Sequence, residues 1–211
     1  MRKKWFEIFV HQPCYMSVDL NSIGLPPDPM VIETARDYFT PFNFKKGQLI
    51  LRKGQVCQHL YFLQKGLVRC FIPGEERTLW CEFENNFFFI PQSFFNQLPA
   101  TESLVCLEHS EGVRISYIHL EKLYRENHQW AQWGLAFMKE QYLKIETIYT
   151  SLLYRSATER YATLLKAQPD VLQRVPLQYI ASFLGVTPVS LSRIRAGRQV
   201  SVERGKDFNI C

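Results

Sequence analysis

The stretch VPLQYIASFLGVTPVSLSRIR, from Val175 to Arg195, admits very few folds. Two short helices crossing steeply about a tight turn need apolar residues where they face each other, a small residue where they nearly touch, and glycine in the turn. Here Ile180, Leu184, Val186, Leu191 and Ile194 fall at the inward positions, Ala181 at the close contact and Gly185 in the turn. Thr187 suits a helix N-cap, and Pro188 then takes the first helical position, where a missing N–H costs nothing. The spacing predicts a helix-turn-helix with its second helix opening at Pro188. With Leu191 and Ile194 turned inward, Val189 and Arg193 share the far side, flanked by Ser190 and Ser192. That face is the expected reader of a DNA major groove, through Thr187, Val189, Ser190, Ser192 and Arg193, with Arg195 and Arg198 on phosphates.

Charge agrees with this placement. Residues 155–211 carry nine Lys or Arg against four Asp or Glu, a net of +5, whereas residues 1–154 carry 16 of each sign. A basic C-terminal segment on a neutral remainder is the electrostatic footprint of a nucleic-acid-binding module.

Upstream, the hydrophobic period changes twice. After GLPPDP (Gly24 to Pro29), Val31 to Tyr38 read as a lead-in helix, with apolar side chains at 31, 32, 35, 38 and 39. From Phe42 to Tyr117 short β-rich runs follow: Leu49–Leu51, His59–Leu63, Leu67–Ile72, Thr78–Phe83, Phe87–Ile90, Ser103–Glu108 and Val113–Tyr117. Gly47, Gly54, Gly66 and Pro73-Gly74 punctuate them, as expected of an antiparallel barrel or jelly roll. From about His119 to Leu153 the pattern is helical. Ala131, Leu135, Met138, Tyr142, Ile145, Tyr149 and Leu152 recur at spacings of four and three, while Trp130, Trp133 and Phe137 form a second apolar face. One face is expected to cover the roll. The other, Leu135 to Leu152, is expected to meet a symmetry mate. Ser156-Ala-Thr-Glu159 is a capping box that opens a helix running to Ala167, and Pro169 ends it. Beyond Gly197 the tail holds at most one strand, Val200 to Val202.

Other chemistries find little support. The six cysteines (14, 57, 70, 81, 106, 211) show no C-x-x-C pair and the five histidines no H-x-H or H-E-x-x-H, so no metal, disulfide framework or cofactor is expected. With no nucleophile elbow or phosphate-cradling glycine loop, no catalytic residue is assigned. The start MRKKWFEIFVH has its apolar run broken by Glu7 and His11, which argues against a signal peptide or anchor. A cytoplasmic protein without membrane contacts is expected.

A glycine-punctuated roll, a long helix and a C-terminal helix-turn-helix, in that order, resemble the Crp/Fnr family of bacterial transcription regulators. The residues carrying the resemblance are FKKGQLILRKGQVCQHLYFLQKGLVR (44–69) and the pair SATERYATLL (156–165) with IASFLGVTPVSLSRIR (180–195). The resemblance implies an α+β chain of three parts: lead-in helix and β-roll sensor over residues 1–117, dimerisation helix over 118–154, and a helix-turn-helix domain with reduced wing over 155–211. It also implies a homodimer on double-stranded DNA, with RNA polymerase as a further candidate partner. In family members that bind cyclic nucleotide, a Gly-Glu pair holds the ribose and an Arg-Ser pair the cyclic phosphate. This sequence has Pro91-Gln92 and Glu102-Ser103 there, so the degenerate pocket comprises Gln92, Ser93, Glu102 and Ser103. A carboxylate in place of the phosphate's cation reverses the strongest contact, and Pro91 removes a backbone donor. Cyclic AMP is not expected to bind, and the effector is unassigned.

Two other readings stay open from the residues. A dimeric scaffold without specific DNA binding accommodates the poor inventory of base-reading side chains, since Arg193 alone is long and polar near the centre of the outer face. A cupin-like metal enzyme would need histidines converging in the roll, where only His59 and His109 fall.

Overall fold

The computed structural model describes residues 28–197. The expected tail strand, Arg198, Cys14 and Cys211 lie outside the described residues. The chain divides into two compact units, Met1–Glu76 with Trp80–Lys139, and Arg77–Leu79 with Glu140–Cys211.

In the first unit, α1 (Pro29–Ala35) opens with Pro at its start and Asp28 as cap, the Asp28 carboxylate accepting from the Met30 N–H at 2.9 Å. Residues 36–38 tighten into a 3-10 turn. Eight strands follow: β1 (Phe39–Phe44), β2 (Leu49–Leu51), β3 (His59–Lys65), β4 (Val68–Ile72), β5 (Arg77–Glu82), β6 (Asn86–Phe88), β7 (Ser103–Cys106) and β8 (Ser110–Ser116). They form two four-stranded sheets, in the orders β1-β8-β3-β6 and β2-β7-β4-β5. β8 pairs antiparallel with both β1 and β3, so a late strand lies between two early ones, the long-range pairing of a rolled double sheet.

The expected runs became strands, and β1 is an addition to them. Its Pro41 argues against a strand by sequence, but β1 lies at a sheet edge, where proline is tolerated. A short helix, α2 (Pro91–Asn96), is also an addition. Its sequence sits in a long aromatic run, and Pro91 at its first turn is the helical signal. Val113–Tyr117 alternates as expected along β8, except that Tyr117 already opens α3 (Tyr117–Glu126), capped by Ser116 through the His119 N–H at 3.2 Å. The helical stretch after it is two helices instead of one. Asn127 interrupts it, its side-chain oxygen accepting from the Gln129 N–H at 2.9 Å, and α4 (His128–Tyr154) begins there.

The core of this unit is apolar and rich in aromatic rings. Leu60, Leu63, Leu67, Val68, Phe88, Leu104 and Ile115 are buried. Tyr61 stacks on Phe88 with centroids 4.8 Å apart, and Phe42 meets both rings edge-on. Trp130, Trp133 and Phe137 bury one face of the first turns of α4, as expected. Trp133 stacks on Phe137, and Phe87 meets both. Trp130 is fully buried and its indole N–H donates to the Val31 carbonyl at 3.3 Å, which ties α1 to α4. Gly134 permits a close approach, since a Cβ there would lie 2.7 Å from the Tyr124 ring of α3.

Cys57, Cys70 and Cys106 are buried, and burial pushes each thiol's pKa up. Among the described residues no group of His, Cys, Asp and Glu is arranged to hold a metal ion, and no described helix is long and apolar enough to cross a membrane.

His59, half-buried on β3, titrates at about 4, lowered first by burial and then by the Arg114 charge. A histidine whose folded pKa lies below its unfolded value of about 6.5 supports the fold as neutral imidazole above that value. That support is lost as pH falls from about 6.5 through about 4. Wild-type melting temperature should therefore drop more between pH 7 and pH 4.5 than that of His59→Gln; parallel curves would rule out this source of acid sensitivity.

Candidate nucleic-acid interface

In the second unit, the last residues of α4 lead to α5 (Ala157–Ala167), α6 (Val171–Arg174), α7 (Leu177–Phe183) and α8 (Pro188–Arg195). The capping box at the start of α5 is complete. The Glu159 N–H donates to Ser156 Oγ at 3.3 Å, and the Ser156 N–H donates to Glu159 Oε2 at 2.7 Å. The Ser156 hydroxyl also donates to Glu159 Oε2 at 2.7 Å, and this hydrogen bond first, then the one from the Ser156 N–H, holds the Glu159 carboxyl below its ordinary pKa. Ser156→Ala should cost about 1 kcal/mol, lowering the melting temperature by roughly 2–4 °C. A melt that does not move would mean the cap contributes nothing.

The turn between α7 and α8 closes as a Schellman motif. The Gly185 N–H donates to the Ser182 carbonyl at 3.1 Å and the Val186 N–H to the Ala181 carbonyl at 3.0 Å. Gly185 sits at φ +68°, a left-handed conformation that glycine adopts without strain. Thr187 then caps α8, its hydroxyl oxygen accepting from the Ser190 N–H at 3.1 Å, with Pro188 in the first turn. Of the residues expected to face inward, Ile180, Ala181, Leu184, Leu191 and Ile194 are buried and Val186 is half-buried.

Burying Leu191 and Ile194 turns the opposite side of α8 outward. Thr187, Val189, Ser192, Arg193 and Arg195 are exposed and Ser190 is half-exposed, so the structure brings these six onto one solvent-facing helix. Val189 is 62% exposed, well beyond what the packing of α7 against α8 requires. Hydroxyls, one β-branched methyl pair and two guanidinium groups are the chemistry that meets base edges, the thymine methyl and phosphates.

The long helix carries a second surface. α4 has 27 residues, about 40 Å at the usual rise. Beyond its buried aromatic face, Leu135, Met138, Tyr142, Ile145, Tyr149 and Leu152 are all exposed, from 38% at Met138 to 67% at Tyr142. A contiguous apolar stripe of this length left in water marks an interaction surface.

Within the roll, two of the four residues that the resemblance assigns to a degenerate pocket have other engagements. Ser93 Oγ accepts from the Cys57 N–H at 2.9 Å and donates to the Leu98 carbonyl at 2.6 Å, while Ser103 Oγ accepts from the Lys53 N–H at 2.9 Å. Both serines are buried, whereas Gln92 is exposed and Glu102 half-exposed. The backbone of 97–100 is zipped to that of 54–56, with Gly54 donating to Ala100, Ala100 to Gln55, and a bridge between Val56 and Pro99. The guanidinium of Arg69 on β4 is buried, donates to the Glu76 carbonyl at 2.7 Å, and lies 4.5 Å above the Phe71 ring.

One residue of the second unit escaped sequence reasoning. Arg160 of α5 donates through one guanidinium nitrogen to the Arg155 carbonyl and through another to the Leu184 carbonyl, each at 2.7 Å. An arginine in SATERYATLL reads as an exposed helix cation, and no local signal points it at a turn far along the chain.

Residues 41–127 match the model of the cyclic nucleotide-binding domain family. No curated protein sequence matches the chain. Among solved structures, one from Eubacterium rectale assigned to the Crp/Fnr family of transcriptional regulators is similar over 84% of this chain and 88% of its own, at 15% identity and a TM-score of 0.64. FixK2 from Bradyrhizobium japonicum is similar over 75% and 83%, at 19% identity and a TM-score of 0.62. The c-di-GMP responsive global regulator CLP from Xanthomonas campestris is similar over 81% and 91%, at 16% identity and a TM-score of 0.60.

Proposed function

We propose that this chain, a cyclic nucleotide-binding domain over residues 41–127 within the fold of the Crp/Fnr transcription regulators, acts as a homodimeric, sequence-specific DNA-binding regulator. The observation carrying the proposal is the outer face of α8, where Thr187, Val189, Ser192, Arg193 and Arg195 stand exposed on a helix anchored from behind by Leu191 and Ile194. Arg193 reads a base, because a guanidinium suits the O6/N7 edge of guanine, and Arg195 with Arg198 grips phosphates. The α4 stripe from Leu135 to Leu152 pairs two copies, so that two recognition helices meet successive major grooves about 34 Å apart. The test is to select duplexes from a random pool with the full-length protein and titrate the winners against scrambled sequence. Enrichment of a two-half-site duplex with at least the roughly thousandfold preference typical of specific regulators is expected. Binding that depends on salt but never on sequence would instead leave a dimeric scaffold.

The roll senses a ligand other than cyclic AMP, or none. Support comes from the side chains themselves: Ser93 and Ser103 are spent on backbone groups, and by the resemblance Glu102 takes the place of the phosphate's cation. Calorimetry with cyclic AMP should give no measurable heat of binding, and DNA affinity should be unchanged by it. Micromolar binding would overturn this part of the proposal.

A further inference from the structure

The C-terminus of a helix leaves carbonyls without intrahelical donors and concentrates partial negative charge. Two such ends lie in the second unit. Tyr154 is the last residue of α4, and the carbonyl of Arg155 follows it; Leu184 is the C-cap of α7, and its carbonyl falls inside the helix-turn-helix turn. The Schellman hydrogen bonds are accepted by the carbonyls of Ala181 and Ser182, not by that of Leu184. Both the Arg155 and the Leu184 carbonyls are taken by Arg160, at 2.7 Å each.

The guanidinium is planar, with donors in a fixed fork, so two acceptors held by one guanidinium are held at a fixed mutual angle. Its Nε is buried without an acceptor among the described residues, so local pairing of the side chain is incomplete while the two helix ends are satisfied. The guanidinium lies against the turn, since a Cβ at Gly185 would be in ordinary contact with Nη2 at 3.9 Å; glycine is needed there for its φ of +68° and not for space. The capping box of α5 fixes the backbone from which Arg160 projects, one residue after Glu159.

We infer that Arg160 is the positioning residue that fixes the direction of the recognition helix relative to the long helix, by capping the C-termini of α4 and α7 with one guanidinium. This deepens the proposed function, because in a dimer built on α4 that angle sets which half-site spacing both recognition helices can reach together. Arg160 itself touches no base.

Two arms test it. In the first, nitroxide-bearing residues are incorporated at Lys144 and Ser192 of the full chain, diluted with unlabelled chain, and the distance distribution within one protomer is measured without DNA. Wild type should give one narrow distribution. Arg160→Lys, which keeps the charge but loses the fork, and Arg160→Met should both broaden it, with melting temperatures recorded alongside. Distributions as narrow as wild type in the folded variants overturn the inference, and if Arg160→Met does not fold, Arg160→Lys decides. In the second, affinities are compared on the selected duplex, on the same duplex respaced by one or two base pairs, and on a single half-site. Arg160→Lys should lose about tenfold at the selected spacing, the worth of one hydrogen bond from a charged group, with a flattened spacing optimum and near-normal half-site affinity. Equal losses on the half-site and the full site would mean that Arg160 merely stabilises the helix-turn-helix, and would overturn it. If wild type selects no duplex, the DNA-binding reading fails, and the distance arm still decides the role of Arg160.

Discussion

A chain carrying Met138→Lys and Ile145→Lys should scatter as a monomer and lose its grip on a two-half-site duplex by roughly 10²–10⁴, the gain that bivalency confers over a single contact. Both side chains are exposed in the protomer, so the substitutions do not disturb the buried aromatic face of α4. In a paired state they would place four like charges in an apolar seam, where burying an unpaired ammonium is prohibitive. Single half-site affinity should stay close to wild type, which separates loss of pairing from loss of folding. A double variant that remains dimeric would show that the Leu135 to Leu152 stripe serves another contact and that a different surface joins the copies.

Arg193→Ala should weaken binding to the selected duplex by about tenfold to a hundredfold, the range of a bidentate arginine–guanine contact at roughly 1–3 kcal/mol. On random duplex the loss should be small, since one phosphate contact among several changes mainly the salt dependence. Arg195→Ala should do the reverse, weakening selected and random duplexes alike. Equal losses for Arg193→Ala on both duplexes would move Arg193 to the phosphate class and leave base reading to Thr187, Val189, Ser190 and Ser192. Because Arg193 is exposed at the end of α8 opposite its cap, thermal stability should not change in either variant.

Legibility in the sequence followed the range of the interactions. The helix-turn-helix could be read residue by residue because its determinants are local: Gly185 at positive φ, Thr187 and Pro188 at a helix start, and a buried pair at Leu191 and Ile194. The capping box at Ser156 was legible for the same reason. The break at Asn127 was not, since asparagine within a helical period gives a weak signal until its side chain is seen to accept from Gln129. β1 was hidden by Pro41, which is permitted only because the strand lies at an edge, and edge position is a property of the assembled sheet. Arg160 belongs to the same class, its partner Leu184 being 24 residues away. The burial of Ser93 and Ser103 likewise depends on the meeting of 53–57 with 93–103, which the resemblance could align but not pack.

α8 divides its labour between two sides that meet only at Thr187, which caps the helix and is itself exposed. Leu191 and Ile194 hold it from behind, the Thr187 cap holds its first turn, and the glycine turn aims it. Val189, Ser192 and Arg193 face water, and exchanges at such positions usually change stability by no more than about 0.5 kcal/mol. The vocabulary of the protein can therefore be rewritten one letter at a time while its grammar stays fixed. On the proposed reading of α8, descendants of this chain could come to recognise new operators through a handful of point mutations, each intermediate still folded, and a designer could follow the same route by randomising those three positions alone.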